Sequence, residues 1–236
     1  MTKLLYHTDS FVRTFDAEVV DTVPGGVILD RTAFYPGGGG QPHDVGWLIV
    51  NGDRRDVAKV QRQKGQIVHR MDEPLPAVGT RVHGELDWER RYALMRTHTA
   101  MHILCGVVWR DYGASVTGGK MKPLKGRMDF EFERMERELV AEIEEKINAE
   151  VDQARPISTR SLPREEAFQI PDLIRTKINL LPDHIKEVRV VEIQGLDLQA
   201  DGGTHVANTS EVGPLRIVDY KSKGRINKRL VVALET

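Results

Sequence analysis

The stretch Arg91–Trp109, RYALMRTHTAMHILCGVVW, decides how the rest of this chain is read. Helical spacing extends from Trp88 to Gly113, and His98, His102, Cys105 and Trp109 share one ridge at steps of four, three and four. On a helix, two imidazoles four residues apart lean over the same face. Such a pair chelates a metal ion if further ligands arrive from elsewhere; without them it reads as two partly buried, hydrogen-bonded side chains. Asp201-Gly202-Gly203-Thr204-His205, far downstream and set among turn residues, offers two more donors. Gly202-Gly203 gives that loop the freedom to fold both inward. His98, His102, Asp201 and His205 together supply three nitrogens and one carboxylate, a set that suits Zn2+ in tetrahedral geometry. Cys105 lies seven residues beyond His98, a rise of roughly 10 Å that one ion hardly spans; it reads as packing. Position 99 is Thr, so the general-base Glu of the metallopeptidase HExxH motif is missing.

The totals bound the class. With 236 residues, 40% hydrophobic and 29% charged, the chain fits a soluble globular protein of one large or two modest domains. Its net charge of −1, from 34 basic and 35 acidic residues, means that a nucleic acid is met by local basic patches and not by the overall field. One cysteine excludes an internal disulfide and suits a reducing compartment. The N-terminal MTKLLYHTDSF has no apolar run fit for a signal peptide, and no stretch approaches about 18 apolar residues. A cytoplasmic protein with no membrane partner is expected.

Residues 1–87 read as many short strands: Phe11–Val23, Gly26–Leu29, Gly46–Val50, Val57–Val60, Gln66–Arg70 and Thr80–Asp87, separated by turn residues. That spacing predicts a small β-barrel, with two open sheets as the alternative. Within it lies Thr32-Ala33-Phe34-Tyr35-Pro36-Gly37-Gly38-Gly39-Gly40-Gln41-Pro42. Four consecutive glycines permit positive φ and close backbone approach. No Gly-Lys-Ser/Thr follows, so this is not a P-loop. Thr32 and Gln41 flank the glycines with a hydroxyl and an amide able to read a polar group.

The composition changes near Leu86, and 88–236 reads as a second, α+β domain with a largely antiparallel sheet. Gly118–Arg127 reads as a basic loop, Arg127–Glu133 as a half-buried strand and Glu133–Ala154 as an amphipathic helix stopped by Pro156. Ile157–Leu162, Lys186–Ile193, Leu215–Tyr220 and Arg229–Leu234 read as strands and Pro163–Phe168 as a short helix, while Pro171–Asn179 is ambiguous. Two basic clusters stand out: Lys120, Lys122, Lys125 and Arg127, and Lys221, Lys223, Arg225, Lys228 and Arg229. Each is either a solvated face or a phosphate-binding site.

RTHTAMHIL, DGGTHVANTSEVG and TAFYPGGGGQP resemble the motifs of the alanyl-tRNA synthetase editing domain and of its stand-alone relatives, the AlaX family of alanyl-tRNA editing proteins, medium-length type. The similarity spans nearly the whole chain and leaves no room for an aminoacylation core. It implies a β-barrel carrying the Gly-rich motif, then an α+β domain shared with threonyl-tRNA synthetase editing regions. It also implies an aminoacyl-tRNA hydrolase that clears seryl-tRNA(Ala), and glycyl-tRNA(Ala) as well, with tRNA as partner and no obligate protein partner. The family binds zinc through HxxxH and CxxxH, and here Asp201 stands at the cysteine position. A carboxylate is a harder ligand than a thiolate, so the fourth ligand is the point of departure. Thr32 is expected nearest the substrate side chain, with Gln41 shaping the pocket. No Ser-His-Asp arrangement is visible, so direct water attack is expected. The metal either activates the water or holds the substrate amine. Two rivals remain: a non-catalytic RNA-binding module with a structural metal site, and a metal-dependent hydrolase of small amino-acid esters.

Overall fold

The computed structural model describes residues 2–175 and 185–235. The chain divides into two compact units, Met1–Ala93 and Leu94–Thr236, and the division falls inside the long helix that starts at Trp88.

The first unit contains β1 (Lys3–Leu4), β2 (Thr14–Val23), β3 (Gly26–Leu29), β4 (Arg31–Thr32), β5 (Gly46–Val50), β6 (Asp53–Val57), β7 (Lys59–Gln63), β8 (Gln66–Arg70) and β9 (Arg81–Leu86). Seven of these form one antiparallel sheet, in the order β6-β5-β9-β2-β3-β8-β7. β2 organises it. Phe15, Ala17 and Val19 alternate inward with exposed neighbours, the pattern of a strand with one buried face. Thr14–Glu18 pair with β9 while Val19–Val23 pair with β3, and a bulge lies between Val19 and Asp21. A strand that changes partner at a bulge bends the sheet onto itself. The result is a curled half-barrel around Phe15, Val27, Leu29, Phe34, Leu48 and Val60. Among the described residues no ladder joins its edge strands β6 and β7, so the pairing is that of an open half-barrel and not of a closed barrel. The single strand expected at Val57–Val60 is two strands that part at Ala58. The charged run Asp53–Asp56 hid the first of them.

His69, on β8, is fully buried, and burial pushes its pKa from 6.5 down to about 4. Between those values the unfolded chain binds a proton that the folded one does not, so stability falls as pH drops through that window. The expected loss from pH 6.5 to 4 is about 3 kcal/mol. Denaturant unfolding at several pH values checks it: His69→Gln should flatten that part of the profile.

The second unit contains the rest of α1 (Trp88–Tyr112), then β10 (Val116–Lys122), β11 (Lys125–Glu131), α2 (Arg137–Asp152), β12 (Ile157–Pro163), α3 (Arg164–Ala167), β13 (Glu187–Ile193), β14 (Asp197–Ala200), β15 (Leu215–Ser222) and β16 (Asn227–Leu234). These make two antiparallel sheets, β10-β11-β16-β15 and β12-β13-β14. The molecule is therefore α+β, with mostly antiparallel sheets. From Leu94 onward α1 buries residues on nearly every side, including Met95, Thr97, Met101, Ile103, Leu104 and Val108. A helix apolar all round belongs in a core. Gly126 lets the larger sheet approach it: a Cβ there would lie 2.7 Å from Met101 Sδ. α2 buries Val140, Ile143, Ile147 and Val151.

Gly118–Arg127 is not a loop but most of the β10–β11 hairpin, turning at Leu124 with φ of 58°. Glycines and lysines masked it, because the ladder to β16, about a hundred residues on, supplies its stability. Pro171–Asn179 lies partly outside the described residues. Among the described residues no helix is long and apolar enough to cross a membrane.

Candidate metal centre

α1 and the loop after β14 build the centre. His98 and His102 project from one face of α1, and Asp201 and His205 come from the loop. One ligand atom from each of the four lies within 4.8 Å of the others. Donors held tetrahedrally about 2 Å from one ion stand roughly 3.4 Å apart, so small side-chain adjustments suffice to close the set. Asp201 contacts two imidazoles: its Oδ1 is 3.5 Å from His98 Nε2 and its Oδ2 is 3.1 Å from His205 Nε2. The rings pack closely, with His98 and His205 stacked at 4.3 Å and His102 edge-on to His205 at 4.7 Å.

Their protonation suits a cation. Burial holds His98 well below its ordinary value and pushes His205 down to about 4, so both are unprotonated at neutral pH. Burial also works against the charge on Asp201, but the attraction of the surrounding imidazoles in their protonated form, His98 first, outweighs it and holds the carboxyl well below its ordinary value, so it is ionised at neutral pH. Unprotonated imidazoles and a carboxylate are the forms that ligate a metal.

A second layer fixes the rings. His102 Nδ1–H donates to Asp197 Oδ2 at 2.9 Å, which leaves Nε2 for an ion. Burial pushes His102 down, yet that bond and the Asp197 charge raise it overall. Gln199 Nε2 donates to the same Asp197 oxygen at 2.7 Å. Thr99 Oγ1 lies 3.2 Å from His205 Nδ1. Gly203 N–H donates to Asp201 Oδ2 at 2.7 Å, and Arg189 Nη1 donates to the Asp201 carbonyl at 3.0 Å. Sequence reasoning missed Asp197 and Thr99. In the sequence Thr99 signals only the absence of a catalytic Glu, and no local pattern marks Asp197. Cys105 is buried against this layer, and burial pushes its thiol up, as befits packing.

Thr32 is fully buried in the first unit. His69 Nδ1–H faces the Val27 carbonyl at 3.4 Å, so its Nε2 accepts from the Thr32 hydroxyl at 2.8 Å, and Phe34 N–H donates back to that hydroxyl at 3.1 Å. Gln41 is 3% exposed and closes the glycine turn through paired backbone bonds with Gly38. All four glycines, Gly37–Gly40, have positive φ, which explains why side chains are absent there. Asp44 anchors the turn by accepting from Tyr35 N–H at 2.7 Å, and fully buried Arg91 holds Asp44 in turn, with Nε at 2.9 Å. Of the basic clusters, Lys120, Lys122 and Lys125 are exposed, whereas buried Lys228 donates to the Gly224 and Arg225 carbonyls. Arg229 is held at 2.6 and 2.7 Å by Asp129.

Two family models match the chain: tRNA synthetases class II (A) over residues 6–90, and the threonyl and alanyl tRNA synthetase second additional domain over residues 188–231. The second match is thus to a domain of the threonyl and alanyl synthetases. An alanine–tRNA ligase of Thermococcus kodakarensis is 39% identical over 92% of this chain, but over only 24% of its own length. The alanyl-tRNA editing protein AlaX-M of Saccharolobus solfataricus is 40% identical over 98% of both chains, and that of Methanosarcina barkeri is 37% identical over 99% of both. This chain belongs to the AlaX-M family of alanyl-tRNA editing proteins.

Proposed function

We propose that this protein is a trans-editing hydrolase that removes serine, and glycine too, from mischarged tRNA(Ala). The observation that carries the reading is the convergence of His98, His102, Asp201 and His205, whose ligand atoms lie within 4.8 Å of one another. Family membership supplies the substrate class, since the relatives are named alanyl-tRNA editing proteins. The physical need is plain: an alanine pocket cannot strongly exclude smaller glycine, nor serine with one added hydroxyl. A second site can hydrogen-bond what the first could not reject.

Zn2+ is the ion that three imidazoles and a carboxylate fit best, and when bound it supplies Lewis acidity beside the ester. The chain's own groups prepare the rest. Asp197 orients His102, Thr99 orients His205, and Asp201 brings negative charge into the buried cluster. Thr32 is assigned to amino-acid preference, through a hydroxyl whose direction His69 sets, and Gln41 to shaping the glycine turn. Water attacks the ester directly, without an acyl-enzyme. Residues 1–87 serve as the Gly-rich-motif domain, built on the half-barrel, and 88–236 as the metal-binding editing domain, and the protein works in the cytoplasm with tRNA as its partner.

Deacylation of seryl-tRNA(Ala) and alanyl-tRNA(Ala), with and without chelator, tests this. Serine should be released, alanine spared, and release should stop on chelation. Binding without turnover would make the protein an RNA-binding module, and turnover that ignores the tRNA would make it a small-ester hydrolase.

A further inference from the structure

The sequence separates two basic clusters by about a hundred residues, and the fold puts them on one face. In the sheet β10-β11-β16-β15, alternate residues Gly126, Met128, Leu230 and Val232 point inward and are buried. The opposite face carries Lys120, Lys122, Lys125, Arg127, Lys221 and Arg229. The register makes their arrangement unusual. Lys120 pairs with Arg127, Lys122 with Lys125, and Lys221 with Arg229. Like charges directly opposite each other across two strands destabilise a sheet, and here three such pairs share one face.

Internal acids relieve only part of this. Asp129 takes Arg229 and, at 3.4 Å, Arg127, and Arg229 hydrogen bonds keep it ionised. Asp219 lies 3.4 Å from Lys221. Lys120, Lys122 and Lys125 stand exposed, with no ion-pair partner among the described residues. A chain of net charge −1 has no general excess of lysine to distribute. A persistent local repulsion of this kind is relieved by a polyanion.

We propose that this outer face binds the phosphate backbone of tRNA, with Lys120, Lys122, Lys125, Arg127 and Lys221 as the contacting cations. Lys228 is excluded, since its ammonium serves the hairpin carbonyls. The identity of the RNA rests on the editing reading above; the surface itself rests on the register and the charge.

The test uses the full-length, metal-loaded protein and unacylated tRNA(Ala), with affinity measured across a range of salt. Three proteins are compared: wild type, the triple variant Lys120→Gln, Lys122→Gln, Lys125→Gln, and a control with Lys59→Gln, Arg62→Gln, Lys64→Gln, all exposed in the first unit. Each lost phosphate contact flattens the slope of log K against log salt by about 0.7–0.9, so the triple variant should lose about 2 units of slope while the control keeps the wild-type value. Its melting temperature should rise as the repulsion is removed, a direction opposite to misfolding. An unchanged slope in the triple variant, or an equal loss in the control, overturns the proposal. Wild-type protein that binds tRNA with the full slope but leaves serine attached removes the editing reading and leaves this surface standing.

Discussion

Replacing His205 with alanine is expected to strip the metal from the protein and to bring deacylation of seryl-tRNA(Ala) down by at least about 10^3-fold, several kcal/mol of transition-state stabilisation. His205 is the ring that every other candidate ligand meets: it stacks on His98, meets His102 edge-on and lies 3.1 Å from Asp201. Its removal leaves three donors and a void where the fourth stood. Asp197→Asn offers a graded comparison, because it keeps all four candidate ligands and alters only the carboxylate that accepts from His102 and Gln199. Loss of such a partner typically lowers metal affinity by about 10–100-fold. Metal content after dialysis, followed by chelator competition, should therefore rank wild type above Asp197→Asn and Asp197→Asn above His205→Ala. Full metal stoichiometry in His205→Ala would move the ion's site elsewhere.

Arg91→Met is expected to be the most damaging single change to stability in the first unit, at about 3–5 kcal/mol. Arg91 is fully buried, with Nε and Nη2 on Asp44, Nη1 on the Ser10 carbonyl at 3.0 Å and Nη2 on the Ala33 carbonyl as well. Methionine would fill much of the space but leave a buried carboxylate uncompensated. Asp44 also fixes Tyr35 beside the glycine turn, so the turn should loosen with it. Lysine should not rescue, since one ammonium cannot reproduce a fork that spans three acceptors. The double variant Arg91→Met, Asp44→Leu should recover part of the loss, because no charge remains buried. Chemical denaturation of the four proteins decides it; a loss for Arg91→Met below about 1 kcal/mol would reduce the pair to a surface-like contact.

Much of the local structure was legible because its causes are local. Gly26–Leu29, Gly46–Val50 and Gln66–Arg70 were readable to the residue, since turn-forming residues bound each run. The convergence of the four candidate donors was readable too. His98 and His102 share a helix face by geometry alone, and two glycines announced that the Asp201–His205 loop could turn its donors inward. What escaped were features whose partners lie far along the chain. The hairpin Val116–Lys122 and Lys125–Glu131 has poor strand residues and depends on β16. Asp44 has no distinguishing neighbour, and its importance comes from Arg91 on α1.

The amino-acid pattern alone determined the secondary elements with strong periodicity, the four candidate ligands and the family to which the chain is similar, because spacing and side-chain chemistry are written residue by residue. Only the tertiary structure decided that Asp197 and Thr99 orient the imidazoles, that Arg91 locks the glycine turn, and that two basic clusters share one sheet face. The reason is physical: hydrogen bonds and charge pairs across long stretches of chain form only once burial of the apolar faces has brought those stretches together, and no short-range pattern encodes which of many polar residues will meet.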